Sequence, residues 1–115
     1  MGAPVTWFEI STSDPRAARE FYSDVFGWKM DVLEESNYAV VDTGVKGAIG
    51  GGIGQAEGPN AVTFYIEEDD LQDALDRIER AGGKTVVPVT EIPDMVTFAL
   101  FSDPQGNVVG LVKSR

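Results

Sequence analysis

Glu9 is the carboxylate with the most chemical promise in this chain. It lies in Val5-Thr6-Trp7-Phe8-Glu9-Ile10, a β-branched and aromatic run that reads as a strand. Side chains alternate along a strand, so Val5, Trp7 and Glu9 share one face and Phe8 and Ile10 the other. A carboxylate beside an indole in a partly dry setting has its charged form penalised, which raises its pKa and suits it to act as a general base. The competing reading is a solvated Glu9, or one paired with an arginine or a ligand amine. A single carboxylate is weak evidence of catalysis, and the residues alone favour this second reading.

Other chemistry is limited by what the chain lacks. There is no histidine and no cysteine. Serine–histidine and cysteine–histidine nucleophile systems are therefore excluded within one chain, as are thiolate and imidazole metal sites. Carboxylates such as Glu9, Asp42 and Glu67 suit a hard cation, but they are dispersed along the sequence and make a poor cage. The run Gly50-Gly51-Gly52-Ile53-Gly54 has no helix predicted after it, so phosphates would find no helix N-terminus there. It reads instead as a bent strand that a ligand or a second subunit approaches closely.

The elements that position these residues follow from periodicity and punctuation. Asp14-Pro15 caps and opens a helix, and Ala17, Ala18, Phe21, Tyr22, Val25 and Phe26 recur at helical spacing before Gly27 ends it. Ordinary burial preferences make Phe21, Tyr22, Val25 and Phe26 core residues. Strands are predicted near Trp28–Leu33 and Tyr38–Asp42, with the glycine-rich one near Gly47–Ile53. The second half repeats this order. Ala61–Ile66 reads as a strand, and Asp69 or Asp70 caps a helix with Leu71, Ala74, Leu75 and Ile78 as its buried stripe. Gly82-Gly83 ends that helix, and strands follow near Lys84–Val87, Val96–Phe101 and Asn107–Val112. The run Glu67-Glu68-Asp69-Asp70 reads as a solvated helix start, where carboxylates meet the positive end of the dipole.

A shift of 56 positions lays Phe8 on Phe64, Ile10 on Ile66, Asp14 on Asp70 and Gly27 on Gly83. Two βαβββ modules, about 1–56 and about 57–115, are the economical account. One helix per four strands covers only one sheet face, so the expected fold is α+β: a cupped mixed sheet with helices on its outer face. Alternation then turns Trp7, Glu9, Thr63, Tyr65 and Gly110 toward the cup, with Trp28, Tyr38 and Met95 on neighbouring strands or the rim.

Composition bounds the function. The chain has 115 residues, 43% of them apolar, which fits one domain with a moderate core that a second copy would supplement. Nine basic against nineteen acidic residues give a net charge of −10, which repels phosphate backbones and argues against nucleic-acid binding. No apolar run approaches the ~20 residues a membrane helix needs. Met1-Gly2-Ala3-Pro4 has no basic segment leading into an apolar one, so a cytoplasmic location is expected.

Several motifs carry a family resemblance. Trp7-Phe8-Glu9-Ile10, Asp14 with Ala17-Ala18, and Phe21-Tyr22-x-x-Val25-Phe26-Gly27-Trp28 resemble the opening module of the vicinal oxygen chelate superfamily. That group includes glyoxalase I, bleomycin-resistance proteins, extradiol dioxygenases and methylmalonyl-CoA epimerase. Gly82-Gly83-Lys84 and Ser102-Asp103-Pro104-Gln105-Gly106-Asn107, leading into Val108-Val109-Gly110-Leu111, resemble the closing module. The resemblance implies metal ligands on the first and fourth strands of each module, at or near Trp7, Thr63, Gly50 and Gly110. An indole only donates a hydrogen bond and glycine has no side chain, so no metal and no other cofactor is expected.

The expected function is binding of a small hydrophobic, aromatic or cationic molecule, similar to bleomycin-resistance members that sequester a drug or metabolite. The alternatives are a metal-independent lyase, isomerase or epimerase with Glu9 as base, and a domain that associates through a sheet edge. Homodimerisation is expected from the resemblance.

Overall fold

The computed structural model describes residues 2–114; Met1, the first residue of the N-terminal stretch read above, lies outside them. The elements run β1 (Val5–Thr12), α1 (Pro15–Phe26), β2 (Lys29–Leu33), β3 (Tyr38–Asp42), β4 (Gly50–Gln55), β5 (Ala61–Glu68), α2 (Leu71–Arg80), β6 (Lys84–Ile92), β7 (Val96–Ser102) and β8 (Val108–Lys113). This is the βαβββ order twice, in an α+β fold. The chain divides into one unit of Trp7–Thr63 and a second that joins residues 2–6 to residues 64–114. The first residues thus go with the second half, where the Pro4 carbonyl accepts the Glu67 amide at 2.9 Å.

In the Trp7–Thr63 unit the strand order is β2-β3-β4-β1, with β1 parallel to β4 and the other neighbours antiparallel. Asp14 caps α1 by accepting the Ala17 amide at 3.1 Å, Pro15 occupies the first turn, and Gly27 closes it at φ 72°. Phe8 lies on the helix side of β1, and the fourth strand gives way to its ring: a Cβ on Gly51 would collide with it. Ala39, Val41 and Ile53 are buried on this face.

The α1 stripe does not become core. Phe21, Val25 and Phe26 are 55%, 57% and 60% exposed, and Pro15 is the only buried residue of the helix. The sheet face beneath presents Phe8, Val41 and Ile53 beside Ala39 and Gly51, and the helix aromatics pack on one another and on Trp28. What the helix does pack is the aromatic group around Tyr22, which stacks on Trp28 at 5.0 Å between centroids and meets Phe21 edge-on at 5.1 Å.

In the second unit the order is β5-β8-β7-β6. Leu71, Ala74 and Leu75 of α2 are buried against Ala99, Phe101, Val109 and Leu111, with Ile66 and Ile78 flanking them. Of the helical stripe, Leu71, Ala74 and Leu75 are thus buried and Ile78 is partly buried. Asp70, not Asp69, is the cap, accepting the Asp73 amide at 3.0 Å. Glu67 and Glu68 end strand β5 rather than start the helix, and Glu68 pairs with Arg77 at 3.5 Å. The glycine-rich strand begins at Gly50 because Gly47 is in a turn at φ 88°.

Candidate functional site

Strand β1 carries Trp7 and Glu9 on the face away from Phe8, and β3 brings Tyr38 to the same place. The Trp7 indole N–H donates to the Tyr38 hydroxyl oxygen at 3.3 Å, and that hydroxyl donates to Glu9 Oε2 at 3.0 Å. All three side chains are half-buried. They form a directed chain of donors ending at a carboxylate, and each indole and phenol proton is used once.

The glycines of β4 make this possible. Alternation puts Gly50, Gly52 and Gly54 on the same face as Trp7 and Glu9, and β1 pairs Trp7 with Gly50 and Glu9 with Gly52. A Cβ on Gly50 would stand 3.2 Å from the Trp7 ring, one on Gly52 would collide with the Tyr38 hydroxyl, and one on Gly54 would stand 2.9 Å from the Tyr38 ring. The open track left by the missing side chains is thus occupied by this chain's own Trp7 and Tyr38 rings.

Burial is the largest influence on the Tyr38 phenol and pushes its pKa well above the ordinary tyrosine value. The Glu9 charge and the hydrogen bond to Glu9 push the same way, while the Trp7 N–H, which favours phenolate, pulls it down. The phenol therefore stays protonated and remains a donor to Glu9.

Residues 5–111 match the profile of the Glyoxalase/Bleomycin resistance protein/Dioxygenase superfamily. The chain belongs to this superfamily. CFP32 of Mycobacterium bovis is 30% identical over 96% of the chain, and the anthracycline biosynthesis protein DnrV of Streptomyces peucetius is 28% identical over 91%. The chain spans about half the length of these two relatives, 45% and 44%. A glyoxylase-like domain-containing protein of Didymella fabae is 29% identical over 90% of the chain and 88% of its own length. Methylmalonyl-CoA epimerase from Mycobacterium tuberculosis shares the fold with a TM-score of 0.65 at 15% identity, over 96% of this chain and 87% of that one.

Strand register relates the two modules. Glu9 pairs with Gly52 as Tyr65 pairs with Gly110, so the module-one counterpart of Gly110 is Gly52 rather than Gly50. Tyr65 is buried and lies across Gly110, where a Cβ would collide with its ring. Thr63 is half-buried. Trp28 is placed apart from Trp7, on the helix side, where it meets Phe8 at 5.4 Å and stacks on Tyr22. Met95 is 55% exposed in the turn between β6 and β7.

At the positions where the superfamily resemblance implies metal ligands stand an indole, a threonine hydroxyl and two glycines. Among the described residues, no three carboxylates are grouped to hold an ion. An indole and a glycine each lack a side-chain lone pair for a divalent cation, which needs several convergent oxygen or nitrogen lone pairs. A shallow groove of about 400 Å³ opens on the helix side of β1, lined by Ile10, Thr12, Ala18, Tyr22 and Val62 among others. Its lining holds no carboxylate and no basic side chain, and the Asn60 side-chain oxygen already accepts the Ser13 amide at 2.9 Å.

The strand pattern predicted the pairing of Trp7 with Glu9 on one face. Sequence reasoning placed Tyr38 on a neighbouring strand or the rim, and it missed Gly52 and Gly54 as the seat of the Tyr38 ring. Their every-second-residue spacing in a strand was the available signal.

Proposed function

We propose that this chain binds a small organic molecule, hydrophobic and flat or cationic, without a metal ion, and holds it rather than transforms it. The observation that carries this reading is the chain Trp7→Tyr38→Glu9: aromatic rings for stacking beside a carboxylate, on a face of β1 that α1 does not cover. A carboxylate with aromatic neighbours favours an ammonium or an electron-poor ring through charge and cation–π attraction. The name of DnrV, which refers to anthracycline biosynthesis, is in keeping with a flat fused-ring ligand. Trp7, Glu9 and Tyr38 are the nearest contacts in this reading, with Thr63, Tyr65 and Gly110 lining the corresponding positions of the second module.

The second reading is a metal-independent lyase, isomerase or epimerase with Glu9 as general base. The Tyr38–Glu9 hydrogen bond favours it, since a base must be held in one orientation. Homodimerisation is part of the proposal, supported by the apolar surface of Phe21, Val25 and Phe26. So are a cytoplasmic location and the exclusion of nucleic acid, the latter supported by the net charge of −10. Among the described residues, no helix is long and apolar enough to cross a membrane.

The test is a thermal-shift screen of metal-analysed protein against aromatic amines, acyl-CoAs and divalent ions. Stabilisation by an aromatic amine at near-zero metal content, lost in Trp7→Ala, supports binding. Turnover of an acyl-CoA that survives chelation and disappears in Glu9→Gln moves the assignment to the enzyme. Stabilisation by a divalent ion alone overturns both readings.

A further inference from the structure

We infer that the outer edge of β6 is closed to strand addition by two guards, the Glu79 carboxylate over the Thr85 N–H and the missing N–H of Pro88, and that the strand they keep off is the same edge of another copy of this chain. β6 stands last in the order β5-β8-β7-β6, so among the described residues no strand covers its far side. It runs for 9 residues, Lys84–Ile92. Thr85, Val86, Val87, Val89, Thr90 and Ile92 are β-branched, the side chains that best suit a pleated surface. Val86, Val89 and Ile92 are 48%, 38% and 40% exposed. A long, β-branched edge of this kind is a template for a further strand, and every copy of the chain carries the same one.

The backbone of this edge withholds what its side chains invite. Thr85 is in register with Phe101 of β7, yet its N–H donates to Glu79 Oε2 at 3.2 Å. It is therefore an outward donor that an incoming strand would use, and α2 already holds it. Pro88 is exposed and has no N–H to give. The register with β7 also shifts on either side of Val87, between Thr85 and Val87 and again between Val87 and Thr90, which twists the edge away from a flat partner. A tie between α2 and β6 needs less than this. The Thr85 hydroxyl donates to the same Glu79 oxygen at 2.7 Å and makes that tie alone, so the bond from the amide is left to cover the edge. Association through a sheet edge, one of the alternatives drawn from the sequence, therefore loses β6 as its surface. None of this depends on what the candidate site binds.

The test is made in a Phe26→Glu background, so that the exposed stripe of α1 adds no contact of its own. Glu79→Ala frees the Thr85 N–H, and Pro88→Val supplies one in mid-strand. Sedimentation over a concentration series should show the Phe26→Glu parent as a monomer and the triple variant self-associating. The β6 amides of the triple variant should gain protection from hydrogen exchange as its concentration rises. A folded triple variant that stays monomeric, or that associates with its β6 amides unprotected, overturns the inference. So does association of the guarded parent through the same amides.

The Glu79 guard is also read by itself. In dilute Phe26→Glu protein, adding Glu79→Ala should speed exchange of the Thr85 amide about tenfold, the scale of one hydrogen bond. Glu79 is exposed on α2, so its removal spares the fold, and this measurement decides the matter where Pro88→Val does not fold. Equal exchange of Thr85 with and without Glu79 means that the carboxylate does not hold the edge, and overturns the inference.

Discussion

The Tyr38 hydroxyl donates to Glu9 Oε2 at 3.0 Å while accepting from the Trp7 indole, so one phenol links the two strand-β1 residues of the candidate site. The link has a pH consequence. Burial, and after it the Glu9 charge, keep the folded-state pKa of Tyr38 well above the unfolded value of about 10. The folded protein therefore favours the neutral phenol. This contribution is fully present below about pH 10 and is lost as pH rises toward the higher folded value, because only the unfolded chain releases the proton in that window. Denaturant melts from pH 9 upward should show stability falling above about pH 10 in wild type, with a clearly shallower slope in Tyr38→Phe. Equal slopes would mean that Tyr38 is solvated.

Gly52→Ala tests the seat of the ring. The added Cβ collides with the Tyr38 hydroxyl, and Tyr38 has its hydrogen bonds to lose if it moves. Overpacking of this kind costs about 1–3 kcal/mol. The cost should shrink to that of an ordinary strand substitution in a Tyr38→Ala background, a coupling that a double-mutant cycle by urea unfolding measures. Additive costs would place the ring elsewhere.

How far this arrangement was legible in the sequence depends on the kind of signal. Helix ends were readable because their chemistry is local: Asp14, Pro15 and Gly27 do at α1 what their types predict, and Asp70 repeats it at α2. Strand alternation likewise put Trp7 and Glu9 together. The fate of Phe21, Val25 and Phe26 was not readable, because burial depends on how a helix seats on the sheet, and the residues of that face are gathered only by strand pairing. How Tyr38 meets Glu9 was hidden for the same reason. Its contact with Glu9 joins residues 29 apart in sequence, and it depends on β4 lying between their strands with no side chains in the way.

The Asp103 turn gives an acid-side prediction. Its carboxylate accepts from Asn107 Nδ2 at 2.8 Å, from the Asn107 amide at 2.9 Å and from the Gln105 amide at 3.0 Å. These bonds, those from Asn107 foremost, hold its pKa below the ordinary carboxylate value. A depressed folded-state pKa contributes stability that is present above the unfolded value of about 4 and lost as pH falls through the folded one. Asp103→Ala should therefore lower Tm at pH 7 and reduce the loss of stability between about pH 4 and 2, followed by circular dichroism. An unchanged acid slope would mean the turn opens without cost.

The exposed stripe of α1 predicts an association. Phe21, Val25 and Phe26 present apolar surface on one helix, and a second copy of the chain is the proposed cover. Light scattering should give a dimer for wild type and a monomer for Phe26→Glu, with the helix content unchanged. A wild-type monomer would remove the dimer from the proposal. On a surface that nothing covers, Phe26→Glu should shift stability by no more than about 0.5 kcal/mol.

Chelation separates the proposed chemistry from the superfamily's metal chemistry. An indole, a threonine hydroxyl and two glycines stand where the resemblance implies ligands, so dialysis against EDTA should leave Tm unchanged within error. A bound ion that stabilised the folded state would contribute RT ln(1 + [L]/Kd), about 2.7 kcal/mol at a hundredfold excess over Kd, and stripping it would lower Tm visibly. Such a drop would require oxygen ligands drawn from outside those four positions. A search among Glu9, Asp42 and Glu67 by single Gln or Asn substitution would then identify which of them restores EDTA insensitivity when removed.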